Sequence, residues 1–365
     1  MSIRNLSVFA GVGSPIPVPA DVNDALDAVE IVSAIGERGS FRLFFRLDRG
    51  LRLPSRFLTD AGDLVRVLLV AGRGKAASVA MDGVIVDHRV SGPARNRKPM
   101  LEVGGEDLTR VMDLNAAVTR SFPGMPVNVR VQTLLASYAV LGVTPVVIPP
   151  PLADVPLVTD RIPHQVGTDY AYIRLLADSV GHRFSLDPGP VPGSSIAYWG
   201  PEPRGDRAHP SLVIDFQRPR NVDALQLRFD AMQRVAPLAV VLDPASKVLI
   251  PVPAPDISAL GAPLGRVVPP AHRLQRLSSA AKLTVTEAAA GLLAEAARSA
   301  QATSGHGHLR IAGGQARLRA GSIVEVRRAP DAFNGLFAVA RVRDTITASR
   351  HRQEFELVRA GLGAA

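Results

Sequence analysis

Short runs in which apolar and polar side chains alternate, each closed by glycine or proline, recur along most of this chain. Ala28-Val29-Glu30-Ile31-Val32 is one such run, and Phe41-Arg42-Leu43-Phe44-Phe45-Arg46-Leu47 follows it across Gly36-Glu37-Arg38-Gly39. A period of two puts successive side chains on opposite faces of a strand, and the glycine-bearing interval makes the turn. Leu64 to Val70 is a third strand, with Ala71-Gly72-Arg73-Gly74-Lys75 as its turn. Val79 to His88 is a fourth, in which Gly83 marks a bulge, and Leu101 to Gly105 is a fifth. Five short strands joined by turns predict a small sandwich or barrel.

The pattern changes after Gly105. Glu106 to Asn115 reads as a short helix with carboxylates in its first turn, where they complement the helix dipole. Val127 to Gly142 carries helical apolar spacing. Pro145, Pro149, Pro150, Pro151, Pro156 and Pro163 then predict an extended surface connector. Thr168 is a good N-cap for a helix ended by Gly181, and His182 to Leu186 and Ile196 to Trp199 read as strands. From Ser211 the β pattern returns, in Leu212 to Phe216 and Ala224 to Phe229. Pro244 to Pro270 reads as a long loop. Thr284 to Ala302 is alanine-rich and is the strongest helix, capped by Thr284 or Thr286. Gly305-His306-Gly307-His308 reads as a break. Gly321 to Val326, Leu336 to Val342 and Glu354 to Val358 are closing strands.

A chain of 365 residues accommodates two to three domains. At 47% hydrophobic and 21% charged residues it is globular. It has no cysteine, which removes disulfides, thiolate metal sites and a cysteine nucleophile. No apolar run approaches the ~20 residues of a membrane-spanning helix, and Met1 to Asn5 show no signal-peptide core.

The motifs that suggest chemistry are incomplete. Gly72-Arg73-Gly74-Lys75 lacks the first glycine and the hydroxyl of a phosphate loop, because Leu69 and Ala76 occupy those places. Gly11-Val12-Gly13 is followed by Pro15, Pro17 and Pro19, which exclude the helix of a dinucleotide site. His306 and His308 have the spacing of a strand-borne metal pair, yet they lie between glycines in a stretch read as a solvated loop. His88 and His351 lie near strand ends and read as surface or interface residues. Glu106-Asp107 are adjacent at a helix start, where dipole complementarity accounts for them better than acid–base work. No Gly-x-Ser-x-Gly elbow is present. The sequence therefore predicts no catalytic residue, no cofactor site and no metal site.

The net charge is +9, with 42 Lys and Arg against 33 Asp and Glu. From Gly305 to Ala365 ten Arg stand against five acidic residues. The arginines alternate with apolar residues, as in Arg317-Leu318-Arg319 and Arg341-Val342-Arg343, and no aromatic stacking platform accompanies them. That pattern predicts a solvated or assembly face rather than a specific nucleic-acid site.

The order of these elements resembles one family. Phe41 to Leu47, Gly62 to Val67, Met81 to Ile85 and Leu101 to Leu108 resemble the first part of phage late control protein D and related baseplate hub proteins, where a barrel steps through "G-x-D" into a short helix. Thr168 to Phe184 and Ile196 to Pro201 are similar to the family's helix-then-strand segment. Leu225 to Asp230 is a third match. Leu318 to Val326, Phe333 to Val339 and Phe355 to Arg359 resemble its closing hairpins. The family often carries a histidine soon after the last such strand, where this chain has Asp344.

The resemblance implies a β-rich α+β fold of two tail-tube-like β-barrel domains with an intervening mixed α/β region. The corresponding boundaries are 1–105 for the first barrel, 106–206 for the middle domain and 207–365 for the second barrel, with loop 244–270 and helix 284–302 inserted. It implies a structural, non-enzymatic hub of a contractile-tailed phage or a phage-tail-like contractile injection system. Such a hub is a homotrimer that adapts the sixfold inner tube to a threefold spike. Its partners would be the inner tail-tube protein ring, a separate spike protein, since the chain stops after the last hub-like strand, and other baseplate proteins. No specific nucleic acid, membrane insertion or cofactor is implied. The protein would be cytoplasmic during assembly and then part of the particle. A tail-tip cell-wall hydrolase and a basic nucleic-acid-binding β protein are the rival readings.

Overall fold

The structure is a computed structural model that describes residues 6–47, 64–72, 78–92, 99–114, 119–203, 211–214, 222–242, 246–260, 263–278, 280, 283–311 and 317–364. The N-terminal elements are β1 (Leu6–Val12), β2 (Ile16–Pro17), α1 (Ala20–Asp24), β3 (Leu26–Ala34), β4 (Ser40–Arg46), β5 (Val65–Ala71), β6 (Ser78–Ser91) and β7 (Met100–Asp107). The middle region holds α2 (Thr109–Met112), α3 (Val127–Ala136), β8 (Val143–Val147), α4 (Asp169–Ser179), β9 (Arg183–Pro188) and β10 (Ser195–Gly200). The C-terminal part begins with β11 (Leu212–Val213), β12 (Ala224–Phe229), β13 (Val235–Leu242), β14 (Leu249–Val252), β15 (Gly265–Val267) and β16 (Arg273–Arg276). It continues through α5 (Val285–Ser299), β17 (Thr303–Arg310), β18 (Ile323–Arg327), β19 (Gly335–Thr347), β20 (His351–Arg359) and β21 (Leu362–Ala364).

One 13-stranded sheet runs through both ends of the chain, in the order β12-β17-β20-β19-β3-β4-β7-β6-β5-β1-β2, with β18 and β11 branching from β19. Its two halves join where β19 pairs antiparallel with β3, from Arg341↔Ala34 to Thr347↔Ala28. Alternation does what the sequence predicts. Phe41, Leu43 and Phe45 of β4 are buried with Val29 and Ile31 of β3, while Arg42 is exposed. Ile346 of β19 enters this same N-terminal core. A second core, around Val326, Phe337, Phe355 and Leu357, underlies the C-terminal strands. The β-rich α+β class expected from the sequence is the one observed.

The middle region packs α3 and α4 against the three-stranded sheet β8-β10-β9, around Phe122, Leu134, Ile173, Phe184 and Trp199. Thr168 caps α4 by accepting from the Ala171 N–H, and Gly181 follows its end at φ +75°. A separate three-stranded sheet, β14-β13-β16, lies on α5. Of the two candidate caps for α5, Thr284 holds the place. Its hydroxyl accepts from the Glu287 N–H, and Glu287 accepts from the Thr284 N–H. Among the described residues no helix is long and apolar enough to cross a membrane.

Several local expectations are corrected. Gly83 is not the bulge. The β6–β7 register shifts between Ile85 and Asp87, and Gly83 instead admits the neighbouring backbone, since a Cβ there would stand 2.1 Å from the Glu106 carbonyl oxygen. Glu106 and Asp107 end β7 rather than open a helix. Pro145 lies in β8. The stretch 244–270 holds β14, a 3₁₀ turn at Ile257–Leu260 and β15. Arg317-Leu318-Arg319 lies outside any strand.

The largest correction is β17. Thr303–Arg310 is a strand between β12 and β20, not a break. Gly305 and Gly307 form its buried face. A Cβ at Gly307 would lie 2.8 Å from the Phe355 ring and 2.6 Å from the Ala224 carbonyl oxygen. The neighbours fill the space that the strand's own inward side chains leave empty, so the apolar half of the alternation is written in glycine.

Candidate assembly face

The two joined halves of the large sheet share a solvent-facing side, and the pairing registers read out its residues row by row. Gln226, His306, Glu356 and Arg341 lie side by side across β12, β17, β20 and β19. The next row runs His308, Glu354, Arg343 and Val32. A third runs Arg310, Arg352, Thr345, Glu30 and Arg42, and Arg42 is followed on β7 by Gly104. Between β12 and β4 these rows are mostly polar, with both signs of charge interleaved and Val32 as an apolar interruption, while the same side of β5 and β6 is buried at Arg66 and Val84 beneath the middle region.

The charges in these rows meet across strands. Arg42 Nη1 donates to Glu102 Oε1 at 2.6 Å. Arg343 Nη2 lies 3.9 Å from Glu30 Oε2, Arg341 Nη1 3.4 Å from Glu37 Oε2, and Arg310 Nε 3.3 Å from Asp223 Oδ2. Exposed pairs of this kind each contribute only ~0.2–1 kcal/mol. Their effect is to alternate the sign of charge along these rows.

Buried polar groups lock the N-terminal half of the sheet to the middle region. Arg66 of β5 donates through Nε to Asp82 Oδ1 at 2.8 Å and through Nη2 to Asp82 Oδ2 at 2.6 Å. The same Nη2 reaches the Gly193 carbonyl at 3.0 Å, and the Ser195 hydroxyl donates to Asp82 at 3.0 Å. Arg38 donates to Thr109 Oγ1, Glu106 and Asp113 and lies 4.4 Å from the centre of the Tyr170 ring. Buried Asp107 accepts from the Gly39 N–H and from the N–H and hydroxyl of Thr109. Burial pushes its carboxyl up to about 6, against hydrogen bonds that favour the charged form. Sequence reading assigned Asp107 to helix-dipole complementarity, and its caged position between β7 and α2 was not legible. Nor were Arg38 and Arg66, whose partners lie far off in sequence.

His306 and His308 share the exposed side of β17, beside Glu356 and Glu354. Those two carboxylates are brought beside the histidines by the strand pairing. Among the described residues no group of three or more His, Asp or Glu is placed to hold a metal ion. His351 is not a surface residue. It is 2% exposed, and its Nε2 is hydrogen-bonded to Asp344 Oδ1. Gln353 ties Asp344 to the Leu318 backbone, donating to Asp344 Oδ2 at 3.2 Å and accepting from the Leu318 N–H at 2.9 Å. His88 is half-buried on β6. Gly11, Val12 and Gly13 belong to the β1–β2 turn region, with Gly13 at φ +74°. Gly72 closes β5 at φ +91°, while Arg73, Gly74 and Lys75 lie outside the described residues. A cleft of about 440 Å³ between β9, α5 and the β19–β20 hairpin is lined mainly by apolar residues such as Ile35, Leu260, Leu264 and Ala297.

No family model matches the chain, and no curated protein matches it. Solved structures do. The tail protein from Neisseria meningitidis MC58 is 14% identical, superposes with a TM-score of 0.62, and each chain covers 98% of the other. The 43 kDa tail protein of prophage MuSo2 from Shewanella oneidensis is 14% identical with a TM-score of 0.61, over 97% of this chain and 98% of that one. An E. coli component of the type VI secretion system, itself described as similar to bacteriophage T4 tail proteins, is 11% identical with a TM-score of 0.55, over 93% of this chain and 76% of that one. The fold of this chain is the fold of those tail proteins.

Proposed function

We propose that this protein is a structural component of a contractile-tail particle, of a phage or of a phage-tail-like injection system, and that it serves there as the trimeric baseplate hub. One observation carries the reading. The sheet that unites the two ends of the chain presents charge-alternating rows from β12 to β4, in a fold shared over nearly full length with tail proteins. In this reading residues 1–105 and 207–365 are two tube-like barrels, and residues 106–206 brace the first of them through Arg66, Arg38 and Asp107. Three copies supply six such modules, matching a sixfold tube on one side and a separate threefold spike on the other. The polar face lines the channel, where alternating charge lets cargo slide without sticking. The work is templating, with no covalent chemistry.

The nucleic-acid reading fits the face less well. Glu30, Glu102, Glu354 and Glu356 interrupt its arginines, whereas a phosphate-tracking surface needs an unbroken basic stripe. Light scattering of the purified protein at low and high salt tests the proposal. A mass of three chains that survives high salt is expected. A monomer at both salt concentrations, or a mass that changes only when DNA is added, would contradict it.

A further inference from the structure

Two adjacent rows of the large sheet repeat one arrangement across three strands. His306 of β17, Glu356 of β20 and Arg341 of β19 stand side by side, and in the next row His308, Glu354 and Arg343 do the same. Each glutamate has an arginine on one side and an imidazole on the other. Cross-strand neighbours on one face are close enough for their charges to interact. The two histidines lie on the outer side of β17 because Gly305 and Gly307 take the buried side, against Leu357 and Phe355.

The charges around these rows are matched almost one to one. Arg341 pairs with Glu37 and Arg343 with Glu30, both on the side away from the histidines. Arg352 pairs with Glu354 on β20, Arg310 of β17 with Asp223, and Arg228 of β12 with Asp230. Glu356 has no such partner among the described residues, and the residue beside it on β17 is His306. With both imidazoles neutral the group holds one more carboxylate than guanidinium. With both protonated it holds one more cation than anion, so two protons reverse its sign. A hollow of about 190 Å³ opens between the rows, lined by His306, Arg341, Arg343, Glu354 and Glu356. The reversal therefore takes place around a space that a side chain can enter. Imidazole is the side chain whose charge changes between roughly pH 8 and 5. We infer that His306 and His308 form a proton-operated switch on this face, which repels an acidic polypeptide near neutrality and holds one in acid. In acid a ligand carboxylate sits in the hollow against His306, Arg341 and Arg343. This adds regulation to the face of the proposed hub, and it rests on that reading for where it acts, on the wall past which cargo moves.

Fluorescence anisotropy of a labelled polyglutamate peptide, titrated with the purified full-length protein at low salt, tests it at about pH 7.5 and about pH 5.5. The wild type is expected to bind at least about fivefold more tightly at the lower pH, the order that two added exposed charge contacts supply. His306→Gln with His308→Gln is expected to lose most of that change. His164→Gln with His272→Gln, at exposed histidines outside these rows, is expected to keep it. His306→Lys with His308→Lys holds the cationic state at both pH values. It is expected to bind near neutrality as tightly as the wild type does in acid, an outcome that misfolding cannot imitate. Equal pH changes in the wild type and in His306→Gln with His308→Gln, or no pH change in the wild type, would overturn the switch. Light scattering of the same samples separates the two readings. A trimer without the pH change overturns the switch and leaves the hub standing, and a monomer that shows the change overturns the hub and leaves the switch.

Discussion

His182 shows most clearly how one residue sets a condition on the fold. It is fully buried at the α4–β9 junction, edge-on to Trp199 with ring centres 4.5 Å apart, and neither of its ring nitrogens has a hydrogen-bond partner in the protein. Burial pushes its imidazole down to about 4. The folded-state value lies below the unfolded one of 6.5, so the unfolded chain takes up the proton first as pH falls. His182 therefore leaves stability whole above about pH 6.5 and withdraws on the order of 2–3 kcal/mol as pH drops toward 4. Urea titrations from pH 7 to 4 check this: His182→Leu is expected to flatten that slope, and equal slopes in the two proteins would refute the assignment. Asp107 acts in the opposite sense. Its raised folded value of about 6 means that its contribution is present below about pH 4 and is lost as pH rises through 6. Arg66 tests the locking role. Arg66→Met leaves Asp82, 2% exposed, without its cation, and a loss of about 3–5 kcal/mol in chemical denaturation is expected. A loss below 1 kcal/mol would mean that the pair does not hold the middle region to β5.

Among the elements, what the sequence made legible and what it hid follow one physical rule. Strands whose buried face is written in Val, Leu and Phe, such as β3, β4, β19 and β20, declared themselves by period two. So did α4 and α5, whose caps Thr168 and Thr284 sit at the predicted positions. β17 was hidden because its inward positions are Gly305 and Gly307, and glycine signals a turn to any local reading. Only the distant residues Phe355, Leu357 and Leu227 explain why nothing larger fits. β14 and β15 were hidden among the prolines of 244–270. The contacts of Asp107, Arg38 and Arg66 were illegible because they depend on which strands pair. Gly307→Val tests the account of β17. It is expected to cost more than about 3 kcal/mol by driving a side chain into Phe355 and the Ala224 backbone. Glycine as a mere loop residue predicts no measurable change in melting temperature.

For the whole molecule, the resemblance read from scattered strand motifs and the structural likeness over nearly the full chain agree on fold, although identity to those tail proteins is only 14%. A fold can persist through such divergence because strand alternation does not depend on particular side chains. The junction of β19 with β3 is the whole-molecule feature that gives the face its continuity. It makes one surface of two halves, and that surface is the center of the functional proposal. Electron cryo-microscopy of the purified assembly tests it most directly. The account predicts three copies around an open channel, with Arg341, Arg343, Glu354 and Glu356 lining the channel wall. A particle without threefold symmetry, or one in which that face points outward or is buried between copies, would contradict it.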